Sequence, residues 1–389
     1  MKELRFAQIG SGLMGKAYAP ALAQIPMWYW PPAAMPRRAL MVDIDEKSAR
    51  DNAARYGYER WAVGWQAAVE DPDVDVVLIL VPNNLHKDIV LAAAAAGKHI
   101  CCEKPLAMDA REAKAMYDAV EKAGVRHQTA FNWRFCPAVQ TAKKMVADGT
   151  LGRIYDFRGW WLADWPMDPD IPLTWRFQKA LAGTGSLGDI GSHVIDLGRF
   201  LVGEISEVCG LADTYIKERT IVSAFAPPAG AVIGANLKKG PVDVDDNAAF
   251  IMRFEGGAYG FIEATHFSAG RKNSFGFELH GEKGTLYFDW LRMNELQYYD
   301  RGDPVDREGF RTIVMGPMHP YGEAFWPVQG YGLGYTETKI LQLNDFIQAI
   351  VANARPQTDF YDGWKTLQVV DAVVKSIDDH GWVRVDSIE

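Results

Sequence analysis

Leu4-Arg5-Phe6-Ala7-Gln8-Ile9-Gly10-Ser11-Gly12-Leu13-Met14-Gly15 is the stretch on which the fold turns. Apolar residues over Leu4 to Ile9 read as a short strand, and Gly10, Gly12 and Gly15 stand in the spacing G-x-G-x-x-G. Lys16 to Gln24 then reads as a helix whose length Pro20 restricts. At such a junction the first glycine permits a sharp turn and the second lets the backbone approach a pyrophosphate. The third permits close helix–strand packing, and the helix N-terminus carries the partial positive charge that receives phosphates. With 36 glycines in 389 residues the spacing alone is weak. Its position after the first strand, and the acidic end of the next strand, Ala39-Leu40-Met41-Val42-Asp43, make it a dinucleotide signature with the phosphates on Gly12, Leu13, Met14 and Gly15.

Asp43 at that strand end suits the ribose hydroxyls of NAD and repels the 2′-phosphate of NADP. The bland alternative is that Asp43 caps the helix Glu46 to Tyr56. Between the first helix and the second strand, Pro26-Met27-Trp28-Tyr29-Trp30-Pro31-Pro32-Ala33-Ala34-Met35-Pro36 carries four prolines and reads as an irregular loop. Its aromatic residues would staple it to the protein or form a flap over a ligand.

Asp73 to Val81 is an apolar run of the kind found in buried parallel strands. It ends in Pro82-Asn83-Asn84-Leu85-His86, where ligands of open α/β sheets sit. A helix over Lys87 to Ala96, a strand over His99 to Cys102 ending in Glu103-Lys104-Pro105, a helix over Asp109 to Ala123 and a strand over Arg126 to Phe131 follow. This alternation predicts an α/β fold with a doubly wound parallel sheet in a first domain, residues 1–130. Beyond it, aromatic-rich Ile154 to Leu162 and the runs Ala248 to Phe254, Ala258 to His266, Ser274 to His280 and Thr285 to Asp289 predict a largely antiparallel sheet in residues 131–389. Helices over Thr336 to Asn353 and Gly363 to Asp379 close the chain.

A net charge of −9 without basic clusters argues against a nucleic-acid surface. No apolar run reaches membrane-spanning length, and no secretory leader is evident. Adjacent Cys101 and Cys102, with Cys136 and Cys209, suit neither a disulfide framework nor zinc spacing, and predict reduced thiols in a cytoplasmic protein. No His or Cys pair has metal-ligand spacing, so no metal is expected.

Gly183-Thr184-Gly185-Ser186-Leu187-Gly188-Asp189-Ile190-Gly191-Ser192-His193 forms a second informative stretch. Ser186 and Asp189 resemble a capping box that opens a helix near Leu187. Asp189 and His193, four residues apart, then share a helix face, either as a stabilising pair or as a polar site, while Ile190, Val194, Leu197 and Leu201 face the core. Oxidising an alcohol by hydride transfer needs a base for its proton. An imidazole titrates near pH 6.5, whereas Lys104 would have to fall by roughly 2–3 units through burial and neighbouring positive charge. Trp133, Arg134, Trp160, Trp161 and Trp165 could pack on sugar C–H faces or in the core, His86 could be buried and structural, and Arg134 and Arg176 leave room for an anionic substituent.

Together, Gly10 to Gly15, Pro82 to His86, Glu103-Lys104-Pro105 and Gly188 to His193 resemble the Gfo/Idh/MocA oxidoreductases in kind, order and spacing. The resemblance implies a Rossmann domain, then an α/β domain with an open sheet that supports homodimers or homotetramers. It implies a catalytic set of Lys104, Asp189 and His193, nicotinamide-side contacts from Pro82, Asn83, His86 and Glu103, and a further cofactor contact from Trp175 and Arg176. Met27 to Pro31, Trp175 to Lys179, Lys239 to Asp246 and Gly316 to Glu323 resemble the levoglucosan dehydrogenase group of that family, which oxidises the C3 hydroxyl of a pyranose with NAD. That implies a carbohydrate substrate near Lys104, Arg134, Trp165, Asp189 and His193. An inositol dehydrogenase, an NAD-recycling glycoside-cleaving enzyme and a non-catalytic NAD-bound sensor are the rival readings.

Overall fold

The computed structural model describes residues 1–222, 238–325 and 327–388, which fall into two compact units. The first comprises Met1–Ala107, Arg111–Pro137 and Met315–Lys365. It holds β1 (Glu3–Ile9), β2 (Met35–Asp43), β3 (Arg60–Val63), β4 (Val76–Ile79), β5 (His99–Cys102) and β6 (His127–Thr129). All are parallel, in the order β3-β2-β1-β4-β5-β6. This is the dinucleotide-binding order, with its switch point between β1 and β4. Phe6, Ala7, Met41, Val42 and Val76 to Ile79 are wholly buried, as strands covered on both faces require.

The expected boundary near residue 130 misses the return of Met315–Lys365 to this unit. The helix Tyr335–Ala352 packs on the helix Leu13–Trp28. Thr358 then accepts from Thr129 N–H (2.8 Å), donates its hydroxyl to the Thr129 oxygen (2.9 Å) and covers the β6 edge. The helix after the glycine loop also runs further than expected, with Pro20 and Pro26 inside it, so the irregular segment begins only at Tyr29. Trp28 lies 4.7 Å and Tyr29 6.0 Å from Phe325, which bears out the aromatic staple for these two rings. Trp30 stays 73% exposed.

The second unit comprises Met108–Ala110, Ala138–Val314 and Thr366–Glu389. Its strands are β7 (Ile154–Leu162), β8 (Ile205–Asp213), β9 (Glu218–Thr220), β10 (Lys239–Pro241), β11 (Asn247–Phe254), β12 (Tyr259–Thr265), β13 (Ser274–Gly281), β14 (Gly284–Asp289), β15 (Glu295–Asp300), β16 (Arg311–Val314) and β17 (Val383–Arg384). β9 and β10 form a ribbon, and the others form a sheet in the order β16-β15-β14-β13-β7-β12-β11-β8-β17. Only the β7–β12 pair is parallel, so the sheet is largely antiparallel as the sequence implies. Strand periodicity puts Phe157, Gly159 and Trp161 of β7 on one face and Trp160 on the other. The helix Ser192–Leu201 lies on the Phe157 face, so close that a Cβ at Gly159 would sit 2.4 Å from Val194. Among the described residues no helix is long and apolar enough to cross a membrane.

Candidate active site

The glycine loop divides its glycines by purpose. Gly10 has φ +101°, and a Cβ there would lie 2.4 Å from the Leu80 carbonyl oxygen; at Gly15 it would lie 2.6 Å from the Gly10 oxygen. Those two serve the fold. A Cβ on Gly12 would meet nothing within 4 Å, so no contact within the protein requires glycine there. Gly12 is also the N-cap of the helix Leu13–Trp28, with no side-chain cap and no acidic residue in the first turn, while Leu13 is 76% exposed. Bare N–H groups at a helix N-terminus favour an anion. Gln8, wholly buried, braces the loop by donating to the Gly10 oxygen (3.0 Å) and accepting from Tyr58 (2.9 Å).

Asp43 sits on the rim of this cradle, accepting from Ser11 N–H (3.0 Å) and the Ser11 hydroxyl (2.6 Å). It does not cap the next helix. Asp45 does so, accepting from Ser48 N–H at 2.7 Å. Asp43 is therefore placed at a strand end, beside the phosphate cradle, as a ribose acceptor requires. Loop, carboxylate and parallel sheet thus fit a nicotinamide dinucleotide.

Pro82 and Asn83 follow β4, and Asn83 is buried in a single 3-10 turn. His86 is wholly buried, with Nε2 2.9 Å from the Val81 oxygen and Nδ1 3.2 Å from the oxygens of Pro105 and Leu106. Its ring thus ties the chain after β4 to the chain after β5, and burial holds its pKa below the usual imidazole value. Both ring nitrogens therefore face main-chain oxygens. Lys104, half-buried, donates its backbone N–H to Glu103 Oε2 at 3.2 Å. Glu103 Oε1 in turn accepts from Lys339 at 3.3 Å. Lys339 is 1% exposed and lies 4.6 Å from the centre of the Tyr18 ring. Burial pulls its pKa below the ordinary lysine value, against the opposing field of Glu103.

Arg134 is buried, and its guanidinium donates to Asp362 (2.8 and 3.2 Å) and to the Gln357 oxygen (3.1 Å). Asp362 thus supplies a counter-charge to this cation within the first unit. Trp133 packs on Tyr335 at 5.7 Å.

In the second unit the glycine-rich entry does not form the expected capping box. Asp245 takes that part: its carboxylate accepts from Gly185 N–H (2.7 Å), Leu187 N–H (2.8 Å) and the Ser186 hydroxyl (2.7 Å). A Cβ at Gly185 would lie 1.8 Å from the Asp245 oxygen, which explains the glycine. Leu187–Gly191 is a π turn leading into the helix Ser192–Leu201, a local geometry that concentrates at functional sites. Asp189 stands on that turn. His193, 4% exposed, stacks on Trp161 with centroids 5.3 Å apart.

His266, which the sequence reading passed over as the end of a strand, brings Nε2 to 3.7 Å from Asp189 Oδ2 and lies edge-on to Trp165 at 5.4 Å. Trp165 is 43% exposed and so available to a ligand. Trp160, on the other sheet face, packs on Tyr287 at 6.0 Å and is structural. Trp175 and Arg176 form a short turn in which the guanidinium lies 4.4 Å from the Trp175 ring centre. A carboxylate with an imidazole beside it and an exposed indole next to that imidazole can hold a hydroxyl proton beside a carbohydrate ring.

The NAD-binding Rossmann-fold oxidoreductase model matches residues 4–131, and the Gfo/Idh/MocA C-terminal domain model matches residues 139–287. A levoglucosan dehydrogenase of Pseudarthrobacter phenanthrenivorans is 47% identical over 388 residues, covering 100% of both chains. A myo-inositol 2-dehydrogenase of Thermotoga maritima is 26% identical, covering 89% of this chain and 90% of that one. A solved levoglucosan dehydrogenase in complex with NADH and levoglucosan superposes with a TM-score of 0.93 at 46% identity, covering 99% of this chain and 100% of that one. With its dinucleotide cradle, parallel sheet and second open sheet, the chain belongs to the Gfo/Idh/MocA family of NAD-dependent oxidoreductases.

Proposed function

We propose that the protein oxidises a secondary hydroxyl, at C3, of a pyranose, anhydrosugar or glycoside, with NAD as the acceptor. The observation that carries this reading is His266 set against Asp189 and Trp165, with His193 stacked on Trp161 in the same unit. Full-length identity of 47% to a levoglucosan dehydrogenase supports the carbohydrate class. Bound NAD supplies a two-electron acceptor for the carbinol hydride.

The protein's own residues do the rest. N–H groups of the Gly12 to Gly15 loop receive the pyrophosphate, Leu13 and Met14 flank it, and Asp43 accepts from the adenosine ribose. Pro82, Asn83, Glu103, Trp175 and Arg176 serve the nicotinamide side, with His86 shaping that region from within. Lys104 and His193 share the hydroxyl proton as a coupled pair, and Asp189 orients them and balances their charge. Residues 1–130 bind the dinucleotide, and residues 131–389, apart from the Met315–Lys365 return to the first unit, bind substrate and form the oligomer.

A homodimer or homotetramer is supported by the sheet face bearing Leu211, Ile251, Tyr259 and Phe261, which are 41–64% exposed. Ile251 pairs directly with Phe261, and Ala249 with Leu211, so these side chains form a continuous patch. A cytoplasmic setting is supported by the buried, adjacent thiols of Cys101 and Cys102.

The test offers pyranoses, anhydrosugars, glycosides and inositols with NAD and follows NADH absorbance. Stoichiometric NADH with a pyranose or anhydrosugar is expected. Turnover confined to inositols, or aglycone release without net NADH, would refute the proposal. Lys104→Ala should lower kcat by about two to four orders of magnitude with NADH affinity nearly intact. Unchanged turnover would remove Lys104 from the mechanism.

A further inference from the structure

We propose that Lys339 is a positioning residue that acts through Glu103: its ammonium offsets the Glu103 carboxylate, and that carboxylate holds the backbone N–H of Lys104. The inference rests on the dehydrogenase reading of Lys104 and extends it to a residue 236 positions from Glu103 in the chain. Every contact lies within the first unit.

A lysine that is 1% exposed needs a reason, because a buried ammonium is costly and buried ion pairs seldom add net stability over apolar packing. The groups facing it come from three elements. Glu103 (3.3 Å) and Cys101 come from the end of β5, Tyr18 (3.1 Å) from the helix Leu13–Trp28, and Tyr335 from its own helix. Burial pushes the Cys101 thiol up to about 12 and the Tyr18 hydroxyl well above its usual value, so both stay neutral. Glu103 is then the anion among these neighbours, and Lys339 its counter-charge.

Its two oxygens divide the work: Oε1 faces Lys339 and Oε2 accepts from Lys104 N–H. Glu103 and Tyr335 are among the groups of the first unit that face Lys104. With the pair intact, the ammonium of Lys339 offsets the field that the Glu103 carboxylate exerts on its surroundings. Removing Lys339 leaves an uncompensated carboxylate one residue away, which favours the charged form of Lys104. Removing the Glu103 charge leaves an uncompensated ammonium, which disfavours it. A residue that merely packs would not shift the titration with opposite signs.

The experiment measures kcat against pH at saturating sugar and NAD for the wild type, Lys339→Met, Glu103→Gln and the double variant. In Lys339→Met the ascending limb should move towards alkali by on the order of one pH unit, with turnover regained at high pH. In Glu103→Gln it should move towards acid, and in the double variant it should return to within about 0.3 of the wild-type position. Unmoved limbs, or both single variants moving the same way, would overturn the inference whatever happens to stability. Should Lys339→Met fail to fold, Glu103→Gln decides alone: an acid shift supports the inference and any other result overturns it. A wild type without turnover would overturn the dehydrogenase reading as well, whereas turnover with unmoved limbs overturns only the role of Lys339.

Discussion

Gly12→Ala and Gly10→Ala separate what the glycine loop owes to its ligand from what it owes to the fold. At Gly12 the added methyl meets nothing within 4 Å and φ is −66°, a value any residue adopts. The fold then loses only the difference between glycine and alanine as an N-cap, under about 1 kcal/mol. At Gly10 the backbone is left-handed at +101° and the methyl would sit 2.4 Å from a main-chain oxygen. Strain of about 1–3 kcal/mol and a similar overpacking cost add up to roughly 2–6 kcal/mol. Binding ranks the two positions the other way. Displacing the pyrophosphate by one methyl breaks at least one hydrogen bond to a charged group, about 1.5–3 kcal/mol, or roughly 10- to 150-fold in NADH affinity. Thermal unfolding with and without NADH, together with a titration of NADH fluorescence, reads both quantities. Gly12→Ala should melt near the wild type and lose most of the NADH-induced stabilisation, whereas Gly10→Ala should melt well below it even without ligand. A folded Gly12→Ala that binds NADH within about twofold of wild type, below the affinity loss set by one such bond, would refute the assignment of that glycine to the ligand.

Asp43→Asn keeps an acceptor for Ser11 but removes the charge that repels a 2′-phosphate, so the preference for NAD over NADP should fall by about tenfold or more in kcat/KM; an unchanged ratio would count against Asp43 as the discriminator. His266→Gln should lower kcat by roughly tenfold while sparing NADH binding, because it releases the Asp189 carboxylate and leaves the first unit untouched; equal kcat would return His266 to the core. Asp345 is pushed up to about 6 by burial. The folded form thus favours its protonated state, and the stability this contributes is complete below about pH 4 and lost as pH rises through about 6. Asp345→Asn should flatten that part of the stability–pH curve by up to about 3 kcal/mol, and urea unfolding at pH 4 and 7 would show no difference in slope if the argument fails.

The first sheet, β3 apart, was legible because its strands carry their own burial and most end in their own signal. β1, β4 and β5 stand where the apolar runs and the Gly10, Pro82 and Glu103 motifs put them. The hairpin strands β11 to β14 were equally plain, within a residue or so at their ends, because turns such as Glu255-Gly256-Gly257 punctuate alternating runs. β3, β8, β9, β10, β15, β16 and β17 escaped notice. Most are short or edge strands whose side chains are half wet, as in Arg60–Val63 and Arg311–Val314, so periodicity has little to register. Pro26 misled for a different reason: a proline near the end of a helix removes a bond that packing of Ile25 and Trp28 replaces.

The site divides along the same physical line. Groups fixed by their own backbone, such as Gly10, Gly12, Asp43 and the π turn at Asp189, lie beside the motifs that announce them. Groups that set the electrostatics come from far away in the chain: Lys339 for Glu103, Asp245 for the Ser186 entry, His266 for Asp189. No local pattern encodes such a pairing, since a lone Lys in an amphipathic helix reads as solvated surface. These distant partners are also the ones free to change without disturbing the dinucleotide cradle. On the proposed role of Lys104, a base with a fixed backbone and a replaceable counter-charge behind it would be retuned in working pH by substituting the partner alone. The chemistry of such an enzyme is therefore read from its motifs, while the conditions under which it works are read only from contacts that the folded chain brings together.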